Sequence, residues 1–504
     1  MSRITSYFPT KVWLIVTTLV LVVAIAVNAL GLFVFGGVMD AVFGGDRPIY
    51  DTETVAHMYP AQNATSKEQA LYNAQNFNIR LAQEGSVLLK NESNSLPLKR
   101  GAKISVFGKN SVNLSYGGSG SSGFDTGNSR ELYESLESAG FNVNPTLKKF
   151  YNDNNASGPV RSANSSDLDS GKNQRIAVAE TPQKRYTDAV RGSYSEYSDA
   201  AIVVITRIGG EGFDLPRYQG STEGAYREDS HYLELDANER DLLEAVCDAG
   251  FKKIIVVFNI PSSFEATFLT DPDYAAFAQK IDAALWIGFP GSTGIMALGD
   301  ILNGTTNPSG RLVNTWPTNF KNDPTFANFG TGSTPDSSDK YQGGMYYFVD
   351  YEEDIYMGYR YYETRGYTDG EDWYQENVVY PFGYGLSYTT FDWDFQQPAN
   401  TTISKDEIIT VDVEVSNTGN VAGKDVVQLY ASAPYYEGGI EKAHKVLVGF
   451  AKTRLLNPGE SDTVSIAFDP YFAASYDYSD ANRNGFRGYE LEKGEYVLHV
   501  SRNV

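Results

Sequence analysis

The stretch Ile205-Thr206-Arg207-Ile208-Gly209-Gly210-Glu211-Gly212-Phe213-Asp214 carries an apolar strand straight into a carboxylate with glycine on both sides. A carboxyl group is a side chain that gives or takes a proton in a reaction. Its glycine neighbours permit backbone shapes that other residues resist, so a second molecule can come close to Glu211. Taken alone, a glutamate among glycines is also the composition of an ordinary turn. The other reactive groups are sparse. Cys247 is the single cysteine, which excludes an intrachain disulfide, and Leu242-Leu243-Glu244-Ala245-Val246-Cys247 reads as the core face of a helix. The four histidines, His57, His231, His444 and His499, are scattered, and none pairs with another His or a Cys at the spacing of a zinc site.

What Glu211 can do depends on the elements that place it. From about Leu71 helical and strand patterns alternate, which predicts a layered α/β domain with a mainly parallel sheet. Ile104–Gly108, Ala200–Ile205, Ile254–Phe258 and Ile281–Trp286 are short apolar runs bounded by glycine or polar residues, the pattern of buried strands. Asn238–Ala249 has apolar residues at helical spacing and stops at Gly250, and Gly294–Leu302 does the same ahead of Asn303-Gly304. Ligands of open α/β sheets sit beyond the carboxyl ends of the strands, so the loops after Phe107, Ile205, Phe258 and Trp286 are where chemistry belongs, and Glu211 is on the second of them. The Tyr-, Gly-, Asp- and Ser-rich segment Thr318–Tyr380 shows no strong period and reads as long loops and linker. From Ile403 the period changes to two, in Thr410–Val415, Asp425–Tyr430, Thr463–Phe468 and Gly494–Val500. Turns such as Asn417–Asn420 and Asn457–Glu460 part these runs, predicting an immunoglobulin-like β-sandwich.

The 504-residue chain is 41% hydrophobic and 21% charged, an ordinary globular balance. A net charge of -22 argues against a nucleic-acid partner, which needs clustered Lys and Arg. Aromatic residues make up 13%, mostly tyrosine, which suits sugar ligands and suits strands equally well. Val12–Met39 is almost continuously apolar and uncharged, with Arg3 and Lys11 before it and Asp40 and Asp46 after. That pattern predicts a transmembrane anchor with a short cytoplasmic N-terminus and the bulk of the chain extracellular, a single-pass protein of the cell membrane. Ala24-Ile25-Ala26 has the small residues of a signal-peptide cleavage site, but the apolar run continues well past it.

Several segments in order resemble the C-terminal part of glycoside hydrolase family 3, the β-glucosidase and β-xylosidase family. Glu84–Asn91 followed by Leu96-Pro97-Leu98 looks like its opening helix and turn, and Gly117-Gly118-Ser119-Gly120-Ser121 like its glycine-serine loop. Arg207–Asp214 is similar to the loop that holds the catalytic acid/base, and Pro290-Gly291 with Asn307–Leu312 to the end of that domain. Tyr351–Tyr362 and Pro381–Tyr388 look like the bridge into a fibronectin type III-like domain. The likeness covers roughly residues 70 to 504. It implies that Glu211 is the general acid/base in retaining hydrolysis of terminal β-glycosidic bonds. One carboxylic acid protonates the leaving oxygen and later deprotonates water, while a second carboxylate about 5 to 5.5 Å away attacks the anomeric carbon. It further implies that Gly118, Ser119, Ser121 and Asp214 contact the substrate, an oligosaccharide or an aryl or alkyl β-glycoside. Leu215 stands where the family often has a basic residue. Asn259 is expected to tie loops together, and Tyr356, Tyr359 and Tyr362 to pack between domains.

In this family the nucleophile is an Asp of a separate (β/α)8 barrel, which also carries a Lys-His pair and an Arg. None of these is recognisable in the sequence. Asp392-Trp393 has a superficial likeness to the nucleophile motif but lies at the start of the β-sandwich. The expected organisation is therefore a cytoplasmic N-terminus at 1–11, an anchor at 12–39, a tether at 40–70, the α/β sandwich at 71–317, a Tyr/Gly-rich bridge at 318–400 and the fibronectin-like domain at 401–504. A barrel would be missing or encoded separately, as a partner chain. The competing reading is a non-catalytic, membrane-anchored carbohydrate-binding or scaffold protein on the same fold. The resemblance implies no metal, nucleotide or redox cofactor.

Overall fold

The computed structural model describes residues 7–33, 66–118, 126–163, 176–210, 215, 230–328, 351, 353–395, 402 and 404–504. The chain divides into two compact units, Met1–Ala70 and Leu71–Val504. In the first, Tyr7–Phe33 forms helix α1. Its segment Lys11–Leu30 has a mean hydropathy of 2.5, long and apolar enough to cross a membrane, and a signal sequence has the same character. Its polar side chains turn back on the helix: the hydroxyls of Thr17 and Thr18 donate to the carbonyls of Trp13 and Leu14, and the Asn28 amide to that of Ala24. Each of these bonds offsets the cost of a polar side chain on an apolar surface. The end of the expected span, residues 34–39, lies outside the described residues.

The second unit is built on six strands: β1 (Val87–Asn91), β2 (Lys103–Phe107), β3 (Asn142–Val143), β4 (Ala200–Thr206), β5 (Ile254–Asn259) and β6 (Ala283–Trp286). Their order across the sheet is β1-β6-β5-β4-β2-β3. All neighbours are parallel except β1, which runs antiparallel on β6 with Val87 opposite Trp286. Strand residues alternate between the two faces. Val203, Ile205, Val256 and Phe258 enter one core, while Ile202, Val204, Ile255 and Val257 enter the other. A sheet buried on both faces needs helices on both. Helices α3 (Leu132–Ser138) and α6 (Met296–Leu302) cover the second core with Leu136, Leu298 and Ile301; α4 (Pro145–Asn152) and α5 (Ala237–Asp248) cover the first with Leu147, Leu242 and Val246. Cys247 is buried in that same core, as its helix pattern required. Each fully buried Val, Leu or Ile contributes about 1.5–3 kcal/mol.

Two expectations change. Glu84–Asn91 was expected as helix and turn; the helix Lys67–Gly85, α2, ends there and Val87–Asn91 continues as the edge strand. Its Val87, Leu88 and Leu89 are all buried, one apolar run supplying both cores. The Thr318–Tyr380 segment is not loop throughout: it holds helices α7 (Tyr359–Asp369) and α8 (Glu371–Asn377). These helices lack an apolar stripe. They are held instead by the buried Glu363, which accepts from the Tyr374 hydroxyl at 2.5 Å and faces the Lys445 ammonium at 3.6 Å.

The C-terminal sandwich pairs β7 (Phe391–Asp394), β8 (Ile409–Asn417) and β11 (Ser461–Phe468) in one sheet, and β9 (Val426–Ser432), β10 (Val446–Lys452) and β14 (Val497–Ser501) in the other. Val411, Val413, Val415, Val464, Ile466 and Phe468 point inward at period two. Asp392-Trp393 thus belongs to an edge strand of this sandwich, starting before residue 401. Tyr359 stacks on Phe382 at 4.5 Å and its hydroxyl accepts from the Leu447 amide in β10, while the Tyr356 hydroxyl donates to Glu441. Both tyrosines reach the sandwich; Tyr362 donates to Asp323 at 2.9 Å instead.

Candidate active site

After β2 the chain crosses to β3 on one side, and after β4 it crosses to β5 on the other. Their carboxyl ends therefore flank the point where the winding reverses, the place at which open α/β sheets form a ligand crevice. The chain leaves β2 towards Gly117-Gly118 and leaves β4 through Arg207, the start of the Arg207–Asp214 stretch. Gly108 ends β2 at φ +100°, and a Cβ on it would stand 2.5 Å from the Val204 carbonyl. Only glycine lets the loop after β2 leave so close to β4.

Asn259 at the end of β5 does what its sequence position suggested. Its oxygen accepts from the Ser115 amide at 2.7 Å, and its amide donates to the carbonyls of Ser115 and Gly288 at 2.8 Å each. One buried side chain fixes the loops after β2 and β6 to each other. Gly118 follows directly, half-buried. Its neighbour Gly117 lines a cleft of about 880 Å³ with Tyr116, Trp286, Phe289, Leu81 and Phe450. Ser119, Ser121, Glu211 and Asp214 lie outside the described residues.

The stem of the Glu211 loop is defined closely. Arg207, fully buried, pairs with Glu239 through two bonds of 2.7 Å. It also donates to the carbonyls of Tyr232 and Glu234 at 2.6 Å each. The residue leaving β4 is thus joined to the segment that returns to α5. Glu239 closes the capping box of α5, accepting from the Asp236 amide while the Asp236 carboxylate accepts from its own. Burial works against the Arg207 charge, but the Glu239 carboxylate outweighs it and holds the guanidinium pKa above its ordinary value. Ile208 and Leu215, on either side of the stretch 209–214, both pack against Val178, Tyr232 and Leu233. Leu215 is therefore an apolar anchor rather than a partner in charge pairing.

His231 completes the stem. Its Nδ1 accepts from the Leu233 amide at 3.1 Å, which assigns the proton to Nε2 and makes Nε2 the donor to Glu265 at 2.6 Å. The Phe320 amide donates to the same Glu265 oxygen, and the His231 amide to Glu234. The ligand atoms of His231, Glu234 and Glu265 lie within 4.8 Å of one another. Both ring nitrogens are nevertheless engaged, so the group fits a hydrogen-bonded strut better than a metal centre. Sequence reading missed Arg207, Glu239 and the His231–Glu265 pair as positioning residues. The Asp236-x-x-Glu239 spacing was the one available signal.

Glu180 is buried at the same edge, accepting from the amides of Lys109 and Thr181. Burial pushes its pKa up to about 8, with Glu239 and Asp236 adding repulsion. Asp236 is raised as well, by burial and by Glu239. The fold holds protons that the unfolded chain releases above about 4.5, so both groups make the protein less stable as pH rises from there towards 8, each by up to about 1.4 kcal/mol per pH unit. Glu180→Gln is expected to remove about half of that slope in urea midpoints measured from pH 5 to 8. An unchanged slope would assign it elsewhere.

The architecture is an open α/β sheet buried between helix layers with an appended β-sandwich. Residues 86–388 match the glycosyl hydrolase family 3 C-terminal domain, and 425–504 the fibronectin type III-like domain. The chain belongs to glycoside hydrolase family 3. It is similar to beta-glucosidase A of Butyrivibrio fibrisolvens, 33% identical over 450 residues that cover 84% of this chain and 49% of that protein. It is similar also to thermostable beta-glucosidase B of Acetivibrio thermocellus, 28% identical over 84% of this chain and 46% of that one. The chain spans about half the length of these relatives. Among solved structures, the Paenibacillus barengoltzii beta-glucosidase superposes with a TM-score of 0.68 at 33% identity, covering 85% of this chain and 42% of that one. Beta-glucosidase 3B of Thermotoga neapolitana, in complex with glucose, gives 0.65 at 30% identity, with 86% and 53% covered.

Proposed function

We propose that residues 71–504 contribute the general acid/base, Glu211, to a retaining glycosidase that releases terminal β-linked sugars, with the nucleophile coming from a (β/α)8 barrel domain. In this reading residues 71–317 form the catalytic-acid sandwich, followed by the bridge and the fibronectin-like domain, which takes in the strand Phe391–Asp394 as well as the expected 401–504. The observation that carries it is that β2 and β4, the strands that lead into Gly117-Gly118 and Arg207–Asp214, flank the reversal of winding in a chain of this family. The relatives named as beta-glucosidases, one holding glucose, support a β-glucoside as substrate. Gly118, Ser119, Ser121 and Asp214 would contact its hydroxyls. The apolar run of α1 from Val12 onward, with Arg3 and Lys11 before it and Asp40 and Asp46 after, supports an anchored protein whose bulk faces outward.

The test is hydrolysis of aryl β-glucoside and β-xyloside by the purified chain, alone and mixed with a family barrel domain. Turnover in the mixture is expected. No turnover in either sample, with sugar binding intact, would replace this reading with an anchored binding module.

A further inference from the structure

Four aromatic rings stand in a continuous row on the surface of the C-terminal domain. Tyr476 on strand β12 (Ser475–Asp477) lies directly opposite Tyr489 on β13 (Gly488–Glu490), so both project from the same face of this two-stranded ribbon. Their ring centroids are 5.1 Å apart; Tyr471 follows at 5.8 Å from Tyr489, and Phe472 at 5.7 Å from Tyr471. Rings at such distances hold one another in place. Each of the four nevertheless keeps 52–59% of its surface exposed, so the row belongs to the surface and not to the core. Single exposed apolar residues are ordinary, whereas contiguous ones rimmed by polar groups mark a binding surface.

Three observations indicate the occupant. Every large apolar side chain exposed between Asp469 and Glu490 is aromatic, so the surface offers flat faces rather than branched ones. The hydroxyls of Tyr471, Tyr476 and Tyr489 have no partner among the described residues, whereas those of the exposed Tyr435 and Tyr436 donate to Glu441 at 3.1 Å and to the Lys493 carbonyl at 2.8 Å. The row therefore joins bare ring faces to free hydroxyls, and a sugar matches both, with C–H groups on its ring face and hydroxyls at its rim. Charge excludes the acidic alternatives. Asp469, Asp477, Asp480 and Glu490 outnumber Arg483 and Arg487 in the same segment of a chain that carries -22 overall. That field repels an anionic lipid surface or an acidic polymer and leaves a neutral one unaffected. Neighbouring rings are tilted by 50–78°, so the row cannot lie flat on a crystal face and fits a single chain that twists along it.

We propose that Phe472, Tyr471, Tyr489 and Tyr476 bind a neutral polysaccharide, a soluble β-glucan chain, and keep it beside the protein. The choice of a β-linked glucan rests on the proposed action on β-glucosides; the binding surface itself does not.

The test titrates the full chain in detergent with soluble mixed-linkage β-glucan and follows it by calorimetry, with no barrel domain present, so that hydrolysis plays no part. Saturable binding is expected, unchanged between about 0.05 and 0.5 M NaCl because the ligand carries no charge. Tyr489→Ala, which removes the centre of the row, should weaken it at least about ten-fold. Tyr471→Ala should do the same from the short helix Pro470–Ala473, outside the ribbon, and so covers the case in which loss of Tyr489 disturbs the strands. Tyr435→Ala, at a tyrosine equally exposed but outside the row, should change nothing. No saturable binding of the β-glucan, or binding that both substitutions in the row leave intact, overturns the proposal. Equal binding of an α-linked dextran overturns the choice of a β-glucan. Sedimentation that shows wild-type dimers dissolved by Tyr489→Ala, with no glucan bound, assigns the row to a second copy of the chain instead. Each of these outcomes leaves the proposed role of Glu211 standing, since that role is read from turnover.

Discussion

Glu211→Ala is expected to lower kcat/KM for an alkyl β-glucoside by about 10²- to 10⁴-fold when the chain is assayed with a family barrel domain. The proposed role explains both the size and the selectivity of that loss. An alkoxide is a poor leaving group and departs only as a proton arrives, so the first chemical step loses its acid. A nitrophenolate leaves without help, so the first step on a nitrophenyl glucoside should be nearly spared. The second step then becomes limiting, because water is no longer deprotonated as it attacks. Azide, which attacks without a base, should restore turnover of the nitrophenyl substrate and yield a glycosyl azide. An equal loss on both substrates with no azide rescue would mean that the substitution had disturbed the loop, and unchanged rates would remove Glu211 from the chemistry.

The parts of this protein that sequence made legible are those whose signal is local. The four central strands were visible because each is a short apolar run, and burial on both faces leaves no alternation to misread. The fibronectin-like strands were visible for the opposite reason, their clean period of two. The edge strand β1 was missed because it follows helix α2 with a single residue between them, so no break announced it. Helices α7 and α8 were missed because tyrosine, glycine and acidic residues hide a helix held by side-chain hydrogen bonds rather than by an apolar stripe. At the site, the glycine-flanked Glu211 lies outside the described residues, whereas the loop-tying role of Asn259 was legible. The role of Arg207 was not, since its partner Glu239 is 32 residues away and only the fold joins them.

Arg207→Met is expected to destabilise the Leu71–Val504 unit by about 3–5 kcal/mol, the cost of leaving a buried carboxylate without its partner. Glu239 is 4% exposed and would face a methionine of similar length with no donor in place of the guanidinium. The carbonyls of Tyr232 and Glu234 would lose a donor at the same time. Glu239→Gln removes the charge while preserving an oxygen for the Asp236 amide and the backbone donor to the Asp236 carboxylate, and so keeps the capping box. In the Arg207→Met, Glu239→Gln double variant the destabilisation should accordingly fall well below the sum of the single effects, with a coupling of about 1–3 kcal/mol. Urea unfolding of the four proteins followed by circular dichroism measures this directly, taking the transition of the α/β sheet as the signal. Additive losses would mean that the two side chains act separately. Coupled losses would support a single buried pair that closes the stem through which the chain passes to Glu211.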